Sequence, residues 1–350
     1  MLKMKVPQTV AQDWRIKLSQ IDFIGFALVV AATILISLPP IWGGSKYAWS
    51  SGPIIAFFVV GILLFIVFGV YILKLVKLEK PVIQTRLFRK SSMNWAIAST
   101  ILQNAGVFGW MMYLTYYGGL VMNMSKKEIG YIQTPYVVCS AFSGILEGLL
   151  LTKFGNYKPF LVFSPLITIS GLAITFAFSE TTKPLMFVAT GVVGIGVGSQ
   201  YLSLVLSTQA CHTHTDTAQA VMLLSFVAGL FGAFFTSITG AVFNTVHGAN
   251  LEKYFPPGTP AAMLAQAKFA AERSSVPDPA LLKILIQAWT DTMKTLGIYC
   301  IGLVAAAYIL SWFIKPYKLT ENIGDAPERI PIKGVRGFLG MKEKDSQDKF

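Results

Sequence analysis

The chain has 350 residues, 54% of them hydrophobic and only 13% charged, with a formal net charge of +12. A soluble domain carries about 25% charged residues, so charges this few cannot cover the apolar surface of a soluble protein of this length. The composition excludes a soluble enzyme. It also gives the positive charge a topological meaning rather than a nucleic-acid one, because that charge sits in short segments between apolar runs.

A spanning helix needs about 20 mostly apolar residues, and about eight such runs are predicted. They are Ile21–Ile41, Pro53–Leu75, Asn94–Tyr117, Gly130–Leu151, Phe160–Ser179, Leu185–Leu206, Ala218–Phe243 and Leu296–Ile314. The fold class is therefore all-α, a polytopic membrane protein of about eight transmembrane helices. With the N-terminus placed in the cytoplasm, about 20 of the 29 Lys and Arg residues lie inside, and most of the others fall in one long outer loop, where they count little. Both termini are then cytoplasmic. The predicted organisation is a cytoplasmic segment over 1–20, a pair of spans over 21–78, a six-helix bundle over 94–314 and a flexible polar tail over 315–350. Asp22 opens the first span, where a carboxylate suits a helix N-terminus as a cap.

Residues 244–294 form the long outer segment. Its alanine-rich part, TPAAMLAQAKFAAERSS, reads as helical. In DPALLKILIQAWTDTMK, the spacing of Leu281, Leu285, Ala288 and Trp289 predicts an amphipathic helix lying at the interface.

The fourth and fifth spans are joined by GLLLTKFGNYKPF, residues 148–160. Two glycines permit a tight turn, and two lysines anchor it to the cytoplasmic face. Gly148, Leu150, Lys153 and Gly155 resemble the loop motif of the major facilitator superfamily, G-x-L-a-D-R/K-x-G-R/K-R/K, and Lys158 follows it in the same loop. Thr152 stands where that family usually has Asp, and Asn156 and Tyr157 where it prefers basic residues. The WGG…YAWSS loop, Trp42 to Ser51, is similar to the segment joining the central helix pair of fungal-type fourteen-helix drug:proton antiporters. GVVGIGVGSQYLSLVLSTQA and the segment DTAQAVMLLSFVAGLFGAFFTSITGAVFNTV resemble a helix pair near that family's C-terminus.

The resemblance covers about residues 18–315 and matches the central pair and the second half, without the first six helices. It implies export of small amphipathic compounds, or alternatively of siderophores or basic amino acids. Protons are the coupling ion, and the halves rock to give alternating access. The implied partners are the small-molecule substrate, protons, the lipid bilayer, and either the missing N-terminal half or a second copy, with no nucleic acid. A multi-pass protein of the plasma membrane, more than of the vacuole, is expected. Rival readings are a half-protein that binds a partner without transporting, and an incomplete product. The loop residues Gly148, Leu150, Lys153, Gly155 and Lys158 would belong to the cytoplasmic gate.

Polar residues within spans are functional hypotheses by default. Glu147 is the acidic residue well inside a span, and a carboxylate there can take up and release a proton. The alternative is an ion pair with Lys153 or Lys158. Gln103, Asn104, Tyr113, Gln133, Gln200 and Tyr201 are the candidates for a substrate cavity, since amides and phenols hydrogen-bond a ligand without fixed charge and rings offer a flat face. The other reading of the amides is bonding between helices. The glycines of the sixth span (Gly191, Gly194, Gly196 and Gly198) and of the seventh (Gly229, Gly232 and Gly240) let backbones approach closely. No phosphate site is read from GVVGIGVGS, which lies in a span and not after a strand. CHTH, residues 211–214, has metal-ligand residue types but no second cluster, so no metal is expected. No nucleophile–base–orienter set suggests catalysis, and no cofactor is expected.

Overall fold

The structure, a computed structural model, describes residues 22–43, 47–75, 85–213, 216–255, 273 and 278–317. The N-terminal segment, the alanine-rich stretch apart from Arg273, the tail beyond Tyr317 and His214 of CHTH lie outside the described residues.

Among those residues the chain is helical. Helices α1 (Phe23–Trp42) and α2 (Gly52–Val70, continued by a π turn over Tyr71–Leu75) form a hairpin. A short 3-10 turn, Thr85–Arg89, leads into α3 (Ser91–Leu120). Then follow α4 (Lys126–Tyr131), α5 (Thr134–Phe154), α6 (Lys158–Ala173, ending in a 3-10 turn over Ile174–Ala177), α7 (Lys183–Ala210), α8 (Thr217–Tyr254) and α9 (Pro279–Trp312). Proline occupies one of the first two positions of α2, α5, α6, α7 and α9. It loses no hydrogen bond there, because the first amide groups of a helix have no intrahelical acceptor. Asp22 caps α1 as expected, accepting from the Gly25 amide at 2.8 Å, and also accepts the Tyr71 hydroxyl at 2.8 Å, tying the two ends of the α1–α2 hairpin.

Seven helices, with α4 and α5 taken together, are long and apolar enough to cross a membrane. The eighth predicted span, α3, meets the length at 30 residues but is too polar to join them. Its place in the bundle gives the reason. It packs against α7, α8 and α9, and 19 of its 30 residues are buried, including Ser99, Thr100 and Gln103. At the rim, α2 buries only Ile54, Gly61 and Phe68 and turns Val59, Leu63 and Ile66 outward. Helix α5 likewise exposes Phe142, Ile145 and Leu149. Apolar rim and polar centre are the arrangement that lipid requires of a helical bundle.

The interfacial helix expected over residues 278–294 is a correction. It is the first half of α9, continuous with the last span. The apolar face read there is real, but Leu285, Ala288 and Trp289 are buried within the protein and not laid on lipid. Helix α8 likewise runs on past Phe243 to Tyr254. At 1.5 Å per residue, the 38 residues of α8 and the 34 of α9 extend about 57 and 51 Å, well beyond a hydrocarbon layer of about 30 Å. Phe243, His247 and Trp289 pack on one another where the two helices continue, with centroids 4.7–5.3 Å apart.

The glycines of α7 set the tightest crossing. A Cβ at Gly194 or Gly198 would run into the backbone oxygens of Tyr136 and Ser140 on α5. A Cβ at Gly229 on α8, by contrast, meets nothing within 4 Å. Gly198→Ala is therefore expected to destabilise the protein by about 2 kcal/mol through overpacking, whereas Gly229→Ala leaves it unchanged. Thermal unfolding of the two variants in one detergent checks the pair, and an equal response would refute the assignment of Gly198 to a helix contact.

Candidate functional site

The loop motif builds its turn as the residues dictate. Gly155 ends α5 in the left-handed region at φ 66°, with its amide bonded to the Leu151 carbonyl at 2.8 Å, the arrangement for which glycine is favoured at a helix C-terminus. The two lysines then part. Lys153 is exposed beside the Phe154 ring. Lys158 is buried and its ammonium donates to the carbonyls of Ser311, Trp312 and Ile314 at 2.8, 2.9 and 2.6 Å. Those carbonyls lie at and just past the end of α9, where the helix dipole favours a cation; that of Ser311 also accepts the Ile314 amide at 3.4 Å. Tyr157 adds to the clamp: its hydroxyl donates to the Lys315 carbonyl at 2.9 Å and accepts from the Tyr317 amide at 3.1 Å. Gly148 and Leu150 are half-buried one turn earlier on α5.

Glu147 does not pair with either lysine, so the ion-pair alternative is corrected. The carboxylate is 2% exposed, on the face of α5 that meets α7, and accepts from the Ser203 hydroxyl. Its second oxygen has no partner among the described residues. Ser203 also lies 3.2 Å from the Tyr157 carbonyl, and Ser164 donates to Ser199 at 2.8 Å close by. The result is a narrow hydroxyl-lined seam joining α5, α6 and α7 around one carboxyl group.

The six cavity candidates separate into three places. Asn104 and Tyr113 come together on the wall of a cavity of about 450 Å³ between α3 and α8. Phe108 and Met112 of α3 share that wall, and Ile41 at the end of α1 closes one side. The facing side is one stripe of α8: Gly229, Gly232 and Ala233, then Thr236, Ser237, Gly240 and Asn244. Tyr113 is stacked on Phe243 with ring centroids 3.7 Å apart, which fixes its hydroxyl over Gly240.

Gln103 and Gln200 are buried outside that cavity. The Gln200 amide donates to Ser99 at 3.3 Å, and Ser99 donates to the Ala307 carbonyl at 3.0 Å, so this amide ties α7 to α3 and α9. Gln103 lies one turn along α3 from Ser99 and its amide nitrogen has no partner among the described residues. Tyr201 is 47% exposed on the next face of α7, its hydroxyl 3.3 Å from Ser225. Gln133 is exposed at the start of α5. Neither lines the cavity.

Sequence reasoning missed the α8 side of the cavity. Thr236, Ser237 and Asn244 were legible as polar residues recurring at helical spacing on the same stripe as Gly229, Gly232 and Gly240. The glycines, however, read as packing, and Asn244 fell at the edge of the outer segment. In CHTH, Cys211 donates to the Thr208 carbonyl at 3.3 Å, and His212 bridges Thr208 and Leu87 at 2.9 and 3.3 Å, which makes this a structural corner.

Comparison with known proteins agrees with the geometry. The "Sugar (and other) transporter" family matches residues 91–257. The aspyridones efflux protein of Neocamarosporium betae is 26% identical over 278 residues, covering 79% of this chain and 49% of its own length. The MFS-type transporter VdtG of Byssochlamys spectabilis is 26% identical over 302 residues, covering 84% and 53%. The efflux pump bfoC of Aspergillus brasiliensis is 24% identical over 309 residues, covering 87% and 54%. The chain thus spans about half the length of the curated relatives it matches. Among solved structures, a bacterial homolog of the human lysosomal transporter Spinster, inward-facing and occupied, superposes with a TM-score of 0.50 at 17% identity, covering 77% of this chain and 60% of that one. That likeness speaks to the fold alone. In sequence and helical architecture the chain is thus similar to transporters of the major facilitator superfamily, and its seven helices long and apolar enough to cross a membrane mark an integral, multi-pass membrane protein.

Proposed function

We propose that this chain is the C-terminal part of an exporter of small amphipathic compounds that works by alternating access, with a six-helix N-terminal half completing its path. The observation that carries the reading is the cavity between α3 and α8, of drug-sized volume, apolar along most of its wall and bearing the amide of Asn104 and the phenol of Tyr113. Two of the relatives described above are named as efflux proteins, which supports the direction of transport. A cavity facing a second half near the bilayer midplane is the arrangement on which rocking transporters rely.

Proton antiport is assigned to Glu147. A buried carboxyl group with one oxygen held by Ser203 and the other without a partner among the described residues is a site at which a proton can be gained and lost. Its helix, α5, crosses α7 at the glycine contacts and ends in the gate loop, so a change at Glu147 reaches Gly148, Leu150, Lys153, Gly155 and Lys158 directly. Lys158, bonded to the end of α9, is the fixed point against which the loop turns. Both termini are assigned to the cytoplasm and the membrane to the plasma membrane, following the distribution of Lys and Arg. Gln103, Gln200, Gln133 and Tyr201 are not assigned to this cavity, although the path beyond it extends into the other half. The second reading is a half-protein that binds a partner without transporting.

Cysteine labelling tests the path. With Cys139 replaced by Ser, Asn104→Cys is expected to react with a small maleimide and to be protected by substrate, whereas Gln200→Cys, fully buried, stays unreactive. Equal labelling of the two would remove the cavity from the reading. Coupling is tested in proteoliposomes carrying the chain with the first half of a full-length relative, with uptake of a fluorescent amphipathic dye driven by a pH gradient. Glu147→Gln is expected to abolish the dependence on the gradient while dye binding persists. Gradient-driven uptake undiminished in Glu147→Gln would sink the assignment of Glu147, and stable association of the halves without any uptake would favour the second reading.

A further inference from the structure

The chemistry of the cavity wall restricts its occupant further than the word amphipathic does. Its lining residues are aliphatic, aromatic, glycine, hydroxyl or amide, with no charged side chain among the described ones. Three of them hold hydrogen-bonding capacity that the protein leaves unspent: the Asn104 amide, the Asn244 amide and the Tyr113 hydroxyl make no hydrogen bond among the described residues. Thr236 and Ser237 donate to the carbonyls of Gly232 and Phe234 at 2.8 and 2.6 Å and so retain only acceptor capacity.

The polar groups are spaced along the trough. Asn104 sits against Gly232, its Cβ 3.5 Å from where a side chain on that glycine would begin, and the Tyr113 hydroxyl sits over Gly240 at 3.2 Å by the same measure. Eight residues of helix separate those levels, about 12 Å at 1.5 Å per residue. Asn244 lies one further turn along. Between the polar ends the wall is Phe108, Met112 and Ala233, with the Thr236 and Ser237 hydroxyls turned to their own helix, and the space at Gly229 opens just beyond the Asn104 end.

We infer that this cavity binds an elongated, uncharged molecule with a hydrogen-bonding group at each end, about 12 Å apart, and discriminates against ions of either sign. A charged ligand entering it would give up water and find no counter-charge from this chain, whereas the amides and phenol return hydrogen bonds to hydroxyl or carbonyl groups. Asn104 and Tyr113 set the spacing, and the missing side chain of Gly229 leaves the trough open beyond the Asn104 end. This narrows the proposed substrates away from basic amino acids and ionised siderophores. The inference rests on the transport reading only for calling the occupant a substrate; the binding preference stands or falls by itself.

The test uses the full chain in nanodiscs, with Cys139 replaced by Ser and Ala233→Cys, an exposed lining position, as the reporter, and thermal unfolding confirms that the reporter protein folds. The probes are para,para′-dihydroxystilbene, whose oxygens lie at the required spacing, and the equally long N-methylpyridinium styryl dye, permanently cationic. The neutral probe is expected to protect the reporter from maleimide at concentrations at least about tenfold lower than the cation. Adding Asn104→Asp to the reporter protein is expected to improve protection by the cation by about tenfold, because the new carboxylate supplies the missing counter-charge. Equal or better protection by the cation without Asn104→Asp, or protection by neither probe, would overturn the inference. Loss of transport in proteoliposomes with neutral-selective protection intact would count against the transport reading alone.

Discussion

A helix that carries Ser99, Thr100, Gln103 and Asn104 within two turns cannot face lipid. The arrangement of the bundle follows from that constraint on α3. It must be surrounded, so α7, α8 and α9 pack against it. Because those three shield it, they in turn need outer neighbours only where their own polar groups point, and α5, α6 and the α1–α2 hairpin supply them. Ser99 illustrates the economy: one hydroxyl takes the Gln200 amide from α7 and gives its proton to the Ala307 carbonyl of α9. Where α3 meets α8 the same polarity is left partly open, and there the cavity lies.

The end of the bundle that carries the loop motif obeys a related rule. Four carbonyls at a helix end have no partner in the helix, and within a membrane protein they cannot be left to chance. The buried ammonium of Lys158 satisfies three carbonyls at the end of α9 at once. The loop motif is therefore more than a tight turn with charges on the membrane surface. Its left-handed glycine reverses the chain, and three residues later the lysine fixes that reversal to the end of α9. A movement of α5 relative to α9 must pass through this clamp.

How far the sequence foretells this molecule depends on whether a property is local. Spans α1, α2 and α5 to α7 were legible because lipid-facing helices need apolar length and little else. The central helix was legible by length, though its polarity comes from being surrounded by other helices. The periodicity of Leu281, Leu285, Ala288 and Trp289 correctly marked a buried face, but period alone does not say whether lipid or protein covers it, and protein does. Asp22 was legible as a cap because the relation is three residues long. Gln200 and Tyr201, adjacent in sequence and alike in polarity, part completely: the helix turns 100° between them, so one ties three helices together and the other stands at the surface.

The glycines carry this argument to its end. Gly194 and Gly198 on α7 and Gly229 and Gly232 on α8 look the same in sequence, as small residues three or four apart in an apolar helix. On α7 the absent side chain is replaced by the backbone of α5, and the glycine brings two helices together. At Gly229 the absent side chain is replaced by nothing, and the glycine leaves a cavity between two helices open. Both uses follow from the loss of one carbon atom; the neighbour decides between them. That neighbour is Ser140, more than fifty residues away, in one case and an open trough beside Asn104 in the other. What distinguishes the α8 stripe is what stands across from it on α3: the amide of Asn104 and the hydroxyl of Tyr113, with hydrogen bonds unspent among the described residues.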